Sequence, residues 1–220
     1  MSKRLYIVVE GDTEEQFVKE VLTPYFNTFE IYSVHATQIT TNKRLGAKGG
    51  FVNYQHLKND VLRLLKQQDV IVSMLVDFYR IPGSVPGYDQ AMLQSTSIKK
   101  IEVLENAIND DINDHRFISY IQRHEFESVL FASDAGFQKY YNEPAQVLTR
   151  INSVIEQFPN PEDINDGPET APSKRIIQII PEYKKVVDGN ILALEVGIDT
   201  ILQKCPMFKA WIEKLLLAMR

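Results

Sequence analysis

The sequence predicts an α/β fold in which a mainly parallel sheet is flanked by helices and followed by a helical C-terminal extension. Strongly apolar segments rich in β-branched residues lie at residues 5–9, 70–76 and 117–121. Segments with apolar residues at helical spacing separate them, at residues 12–24, 53–68 and 98–112. Strands that alternate with helices pair in parallel and are buried on both faces, which favours continuous apolar strands.

The first predicted strand, residues 5–9, ends at Glu10 and is followed by Gly11, which permits a tight turn. The helix after it is predicted to begin at Asp12 or Thr13, with a capping box completed by Glu15 or Gln16. Ligands of open α/β sheets bind beyond the carboxyl ends of the strands. Glu10 is therefore the first candidate site residue.

The later elements continue this alternation. A strand is predicted at residues 31–37, and polar or Pro- and Gly-rich loops at residues 38–50 and 78–88. The C-terminal part predicts a helix at 145–158, a polar loop at 159–172, a helical run at 176–180 and an apolar helical face at 207–216. We expect an α/β unit at residues 1–142 and a helical extension at 143–220, packed as one compact unit.

Composition sets broad limits on the class of protein. The chain has 220 residues, 44% of them hydrophobic, and this is enough for a sizeable core. Its single cysteine, Cys205, excludes an internal disulfide framework and fits a reducing compartment. We expect a cytoplasmic protein without a membrane span. The net charge of −5 argues against a generally basic nucleic-acid coat, although an acidic metal site would itself add negative charge.

Carboxylates follow three of the predicted strands, at Glu10, Asp77 and Glu125. Parallel strands place their carboxyl ends at one edge of the sheet, so these side chains are expected to converge there. Glu10 and Asp77 supply the hard oxygen ligands that Mg²⁺ or Mn²⁺ prefers. The alternative is that each carboxylate only caps a helix or lies solvated at the sheet edge.

The segment from His124 to Glu127 offers an imidazole and two carboxylates. An extended chain would aim Glu125 and Glu127 in the same direction, whereas a helix that starts near Phe126 would separate them. One of the two is expected to complete the metal site. His124 is a candidate acid or base because its ordinary pKa lies near neutrality, with a structural histidine as the alternative.

Two basic segments are candidates for phosphate contacts. The first combines glycines with three cations, Lys43, Arg44 and Lys48, but lacks the spacing of a phosphate-binding loop and could equally be a solvated loop. The second places Ser173, Lys174 and Arg175 at a predicted helix start, where free N–H groups favour anions, with Lys184 and Lys185 as further cations.

These residues resemble a known fold family. Val9-Glu10-Gly11 and an aspartate after a later strand, Asp77, are similar to the TOPRIM fold of topoisomerases, primases and OLD-type nucleases. A closer resemblance covers essentially the whole chain and is to a bacterial TOPRIM-like family, domain of unknown function 4276. Its motifs resemble Val9–Glu14, Asp77-Phe78-Tyr79 with Ile81-Pro82, His124–Glu127, Ala171–Arg175 and Cys205-Pro206.

The resemblance implies a TOPRIM-like, Rossmann-like sheet and a Mg²⁺ site built from the glutamate and an Asp-x-Asp pair. The second aspartate of that pair is replaced here by Tyr79. Glu125 or Glu127 is expected to supply the missing ligand, while Gly11 and Tyr79 lie where phosphate would bind. For the wider group, the resemblance also implies partnership with ATPases in defence against foreign DNA.

The leading hypothesis is a Mg²⁺- or Mn²⁺-dependent nuclease acting on DNA or RNA. Its metal ligands are Glu10, Asp77 and Glu125 or Glu127, and Lys174 contacts phosphate. The alternative is a non-catalytic effector or regulatory subunit that binds an ATPase partner, motivated by Tyr79 and the acidic net charge. A phosphate-transferring enzyme on a small nucleotide is a third hypothesis, opposed by the absence of a nucleotide-binding loop.

Overall fold

The computed structural model describes residues 3–42, 47–48, 50–141, 145–164, 167 and 169–220. Its central sheet is parallel throughout and has the strand order β2-β1-β5-β6, and β7 pairs with β5 beyond β6. The strands are β1 (Arg4–Val9), β2 (Val34–Gln38), β3 (Thr40–Asn42), β4 (Ala47–Lys48), β5 (Val70–Asp77), β6 (Phe117–Ile118) and β7 (Ile121–Gln122). The predicted parallel sheet is confirmed.

The register brings the ends of the strands together. Val9, the last residue of β1, pairs with Gln38 on one side and with Leu75 on the other. Because β1 and β5 are parallel neighbours, Glu10 and Asp77 follow their ends at the same edge of the sheet. Side chains alternate along a strand, so β1 contributes to both faces of the sheet.

Helices cover both faces of this sheet. They are α1 (Asp12–Phe17), α2 (Thr23–Asn27), α3 (Tyr54–Leu65), α4 (Tyr88–Met92), α5 (Ser97–Ile112), α6 (Ala135–Tyr141), α7 (Ala145–Gln157), α8 (Pro172–Ile179), α9 (Lys185–Val196), α10 (Ile198–Lys204) and α11 (Pro206–Met219). A π-helical turn at Val18–Leu22 joins α1 to α2, and 3₁₀ turns lie at Phe126–Ala132 and Pro161–Asp163. Among the described helices, none is long and apolar enough to cross a membrane.

Two apolar cores lie on opposite faces of the sheet. Ile7 and Val9 of β1 belong to a core that also contains residues of α1 and of the C-terminal helices α9 and α11. Val8 points to the other face and joins a core with residues of α3 and α5. The C-terminal helices thus share a core with the first strand, while the division at residue 142 stays a prediction.

A buried polar chain fixes α11 to the centre of the sheet. Trp211 Nε1 donates a hydrogen bond to Ser73 Oγ at 2.9 Å, and Ser73 Oγ donates to the carbonyl oxygen of Ile118 at 2.6 Å. The Tyr120 ring stacks on Trp211 with 4.5 Å between ring centroids. The apolar face predicted for the last helix is confirmed by its buried residues, Phe208, Trp211, Ile212 and Leu215.

Several predicted boundaries were wrong. The second strand begins at Val34 rather than at residue 31, whereas α8 begins at Pro172, in agreement with the helix start predicted at Ser173–Arg175. The predicted loop at residues 38–50 contains the antiparallel pair β3 and β4, and the Thr40 N–H donates to the buried carboxylate of Asp60 at 2.7 Å. The hydrogen bond to the buried Asp60 on α3 anchors β3, although the sequence of this strand is polar.

The predicted strand at residues 117–121 is interrupted between β6 and β7. Helix α5 satisfies the backbone there, because the Ile121 N–H donates to the Glu105 carboxylate at 2.8 Å. Ser119 Oγ donates to the Glu105 carbonyl oxygen at 3.2 Å. The interruption redirects the chain toward the sheet edge where His124 and the following carboxylates lie.

Candidate active site

Glu10 lies immediately beyond β1 and is held by backbone groups of two other segments. The N–H groups of Asp77 and Phe51 donate to its carboxylate, the first at 3.4 Å. The Gly50 N–H donates to its carbonyl oxygen at 2.8 Å. Burial and the neighbouring Glu14 raise the pKa of Glu10, while these hydrogen bonds and Lys185 lower it.

Glu14 is a site residue that the sequence analysis did not identify. Its buried carboxylate accepts a hydrogen bond from the Gly11 N–H at 3.0 Å, so Gly11 is the N-cap residue of α1. The predicted capping box at Glu15 or Gln16 was therefore wrong. The sequence pattern that could have identified Glu14 is a glutamate in the first turn of the helix that follows Glu10. A helix that starts directly after a strand puts both acids at the same edge of the sheet.

Asp77, at the end of β5, is 7% exposed. Its Oδ1 atom is buried without a hydrogen-bond partner among the described residues. Burial raises the pKa of Asp77 well above its ordinary value, and the nearby acids Glu14, Glu10 and Glu127 raise it further against the opposing effect of Lys185. This carboxylate therefore lies among like charges in a region shielded from water.

The 3₁₀ turn at Phe126–Ala132 separates the two glutamates of the third segment. Glu125 Oε2 accepts a hydrogen bond from the Ser173 N–H at the start of α8, at 3.0 Å. Glu127 is fully buried, and burial raises its pKa to about 7, with Lys185 acting in the opposite direction. Glu127 is thus the member of the pair that faces Asp77, and Glu125 helps to cap α8.

Lys185, the first residue of α9, places an ammonium group among these acids. Its Nζ lies 3.1 Å from Glu127 Oε2 and 4.0 Å from Asp77 Oδ2. Burial lowers the pKa of Lys185, but Glu127, Asp77 and Glu14 outweigh that effect and raise it above its ordinary value. We refer to Glu10, Glu14, Asp77 and Glu127 as the carboxylate cluster, with Lys185 as its internal cation.

His124 and Tyr79 border the cluster through an unusual backbone arrangement. The His124 carbonyl oxygen accepts a hydrogen bond from the Tyr79 N–H at 2.9 Å. His124 and Arg80 both have positive φ angles, 68° and 59°, a strained conformation for residues other than glycine. The Arg80 guanidinium lies over the Tyr79 ring, 5.1 Å from its centroid. An acid-base role for His124 stays a prediction.

Among the predicted phosphate-binding cations, Arg175 has partners other than the carboxylates of the cluster. Arg175 donates from Nε to the Thr170 carbonyl oxygen at 2.8 Å and packs over the Phe158 ring. Lys174 is exposed and forms no ion pair with a carboxylate in the described part of the chain. Arg44 and the side chain of Lys48 lie outside the described residues. The ion pairs therefore assign the cluster's cation to Lys185, one of the further cations noted in the sequence.

The donor set of the cluster suits a hard divalent cation, because it consists of carboxylate oxygens and includes Asp77 Oδ1, which has no hydrogen-bond partner among the described residues. In the ranges that the structure describes, however, no three acidic, histidine or cysteine side chains lie close enough to hold one ion. Lys185 contributes the positive charge in this arrangement. A groove of 780 Å³ between α2 and the α9–α10 junction contains none of the cluster residues.

A parallel sheet with acids at its carboxyl edge defines an α/β protein of the same fold as a solved structure. The C-terminal region of the Xanthomonas campestris pv. campestris OLD protein, phased with platinum, has a TM-score of 0.51 and 16% identity, over 99% of this chain and 92% of that chain. The same region phased with iodine has a TM-score of 0.47 and 16% identity, over 99% and 94%. The likeness to the platinum-phased structure, at 16% identity, establishes the fold alone.

Family membership follows from the sequence itself. Residues 9–216 match the family described as "Domain of unknown function (DUF4276)", and the chain belongs to this family. The predicted resemblance to this family of unknown function is confirmed. No curated protein sequence gives a significant match.

Proposed function

We propose that this chain is a TOPRIM-type nuclease that hydrolyses phosphodiester bonds in DNA or RNA with the help of Mg²⁺ or Mn²⁺. The observation that carries the proposal is the carboxylate cluster at the carboxyl edge of the parallel sheet. Ligands of open α/β sheets bind at this edge. The shared fold with the C-terminal region of the OLD protein supports the same class of domain.

Four carboxylates and one ammonium group leave the cluster with an excess of negative charge when all are ionised. Burial raises the pKa values of Glu10, Asp77 and Glu127, and neighbouring acids add to this effect: Glu14 for Glu10 and Asp77, and Glu125 for Glu127. A bound divalent ion would neutralise charge and polarise a water molecule and a phosphate oxygen. Glu10 and Asp77, which follow neighbouring strand ends, are the proposed ligands, and Glu14 and Glu127 flank them.

The neighbouring residues are assigned to substrate. Tyr79 stands where an Asp-x-Asp pair would place its second acid, so its phenol is proposed to contact phosphate rather than metal. Gly11 leaves the backbone accessible beside Glu14. Ser173 and Lys174, at the start of α8, are proposed to contact the nucleic acid further from the reacting bond. We also propose that the chain acts together with an ATPase partner in bacterial defence.

The decisive experiment compares Glu10→Gln and Asp77→Asn with the parent chain in cleavage of DNA and RNA substrates. With Mn²⁺ or Mg²⁺ the parent is expected to cleave, and each variant is expected to lose about 100-fold or more, because one charged ligand is neutralised. Glu213→Gln is the control, since that side chain is 63% exposed on α11. Cleavage by Glu10→Gln at the parental rate would remove Glu10 from the mechanism.

A second function has its own supporting observation. Tyr79 removes one acidic ligand, and Lys185 already supplies a cation to the cluster. These features favour a non-catalytic subunit that keeps the fold and binds an ATPase partner. Calorimetric titration separates the two functions: heat of binding with millimolar Mn²⁺ supports the nuclease, whereas a folded chain that takes up no metal supports the subunit.

A further inference from the structure

We propose that Lys185 competes with the divalent ion for the carboxylate cluster, so that its ammonium group must leave before metal binds and thereby sets the metal affinity. This inference rests on the proposed function, since it concerns the same site. It adds which group occupies the cluster in the metal-free protein, and how the departure of that group affects the free energy of metal binding.

The contacts of Lys185 define the competition. Its Nζ is 3.1 Å from Glu127 Oε2 and 4.0 Å from Asp77 Oδ2, and therefore lies between acids from two different elements. A divalent ion bound to Asp77 would lie within a few ångströms of the ammonium. At such distances two positive charges in a partly buried site repel strongly.

The helix itself gives no reason to place a cation at this point. Lys185 is in the first turn of α9, where the helix dipole favours negative charge. The N–H of Lys184 is already satisfied by Asp188 Oδ2 at 2.6 Å. The carboxylates therefore hold the ammonium group in place, although the helix dipole disfavours a positive charge there. Lys185 thus acts as a counter-ion of the cluster.

Lys185 is also the most exposed member of the set. Its side chain is 43% exposed, whereas that of Glu127 is fully buried and that of Asp77 is 10% exposed. A lysine has a flexible four-carbon stem, so its head can turn toward solvent while the stem stays packed. The buried acids remain in place and become available to the incoming ion.

The test measures Mn²⁺ affinity by calorimetry for the parent chain, Lys185→Gln and Lys184→Gln. Lys184 is the matched control: it is the adjacent exposed lysine and forms no ion pair with a described carboxylate. Lys185→Gln is expected to bind Mn²⁺ about tenfold or more tightly than the parent, because the competing charge is gone. Lys184→Gln is expected to change the affinity by less than about threefold, through long-range charge alone.

A thermal melt provides a second readout that does not need activity. In EDTA, Lys185→Gln is expected to melt below the parent, since Glu127 loses its counter-charge, and added Mn²⁺ is expected to raise its melting temperature more than that of the parent. If Lys185→Gln does not fold, Lys185→Arg replaces it. That variant keeps the charge and binds carboxylates in a fork, so its metal affinity is expected to stay at or below the parental value.

The outcomes distinguish this inference from the proposed function. Parent and Lys185→Gln binding Mn²⁺ equally would overturn the competition and leave the nuclease proposal intact. Tighter binding by Lys185→Gln without cleavage by any variant would support the competition and contradict the nuclease. No binding by either chain would overturn both, and a tenfold gain in Lys185→Arg would overturn the competition.

Discussion

Asp77 illustrates the conflict between stability and function at the scale of a single residue. It is buried, one of its oxygens has no partner among the described residues, and neighbouring acids raise its pKa. An acid whose pKa is raised on folding lowers the free energy of unfolding at any pH at which it is ionised. Such an arrangement persists when the surrounding structure enforces it, and this is typical of functional sites.

The substitution Asp77→Asn is therefore expected to stabilise the metal-free protein at pH 8, by about 1–2 kcal/mol. The amide keeps the shape of the side chain and removes one of the mutually repelling charges. Urea denaturation in EDTA measures the difference in unfolding free energy.

Asp114→Asn is the matched control with the opposite sign. The Arg116 guanidinium beside Asp114 holds the pKa of that carboxyl at about 2, so its ionised form stabilises the fold. Its neutralisation is expected to lower stability under the same conditions. A loss of stability in Asp77→Asn comparable to that in Asp114→Asn would show that Asp77 is not electrostatically strained.

Individual site residues were predictable to different degrees. Glu10 and Asp77 follow apolar strands directly, and that pattern can be recognised without tertiary information. Glu127 could be narrowed only to a choice with Glu125, because the 3₁₀ turn decides which carboxylate faces inward. Lys185 belongs to the cluster only because α9 docks beside it, which local spacing does not reveal.

At the scale of elements, the close approach of α6 and α9 positions Lys185. A Cβ atom added at Gly136 of α6 would lie 2.8 Å from the Leu192 carbonyl oxygen and 3.1 Å from its Cα. Both atoms belong to the backbone of α9, which cannot move as a flexible side chain would. Gly136 therefore allows the two helices to pack at a distance that a larger residue would not permit.

Gly136→Ala is expected to destabilise the protein by about 1–3 kcal/mol, although alanine is normally the better residue within a helix. The added methyl group would push α9 away and disturb the ion pair of Lys185 with Glu127. Gly83→Ala is the control, because a Cβ there meets only Tyr88 side-chain atoms at 3.8 Å or more. Chemical denaturation of both variants checks the contrast, and equal stabilities would contradict the proposed close packing.

Sequence patterns predicted which helices and strands exist better than they predicted the residues at which these begin and end. The apolar run of β5 and the periodic helices α3 and α5 were recognisable because burial repeats along them. The hairpin of β3 and β4 was missed because its support comes from Asp60 on α3, a contact outside its own sequence. The interruption between β6 and β7 depends in the same way on Glu105.

At the scale of the whole molecule, the C-terminal helices complete the core. Residues of β1, α1, α9 and α11 belong to one apolar cluster, and Trp211 donates a hydrogen bond to Ser73 in the central strand. Removal of these helices would expose one face of a parallel sheet. Parallel sheets are stable when both faces are covered.

A fragment of residues 1–142 is therefore expected to lack cooperative unfolding and to bind a hydrophobic dye, as partly packed chains do. The full chain is expected to unfold in a single transition under the same conditions. Near-ultraviolet circular dichroism and thermal denaturation measure the comparison. A fragment with a sharp transition would establish an autonomous first domain.

The dispersal of the cluster along the chain has a consequence for biosynthesis. Glu10, Asp77 and Glu127 leave the ribosome before Lys185, and the last interval spans about 60 residues, or several seconds of translation. Throughout that interval the nascent chain contains the acids without their ammonium partner. Translation order thus postpones closure of the acidic edge until α9 has emerged and can dock.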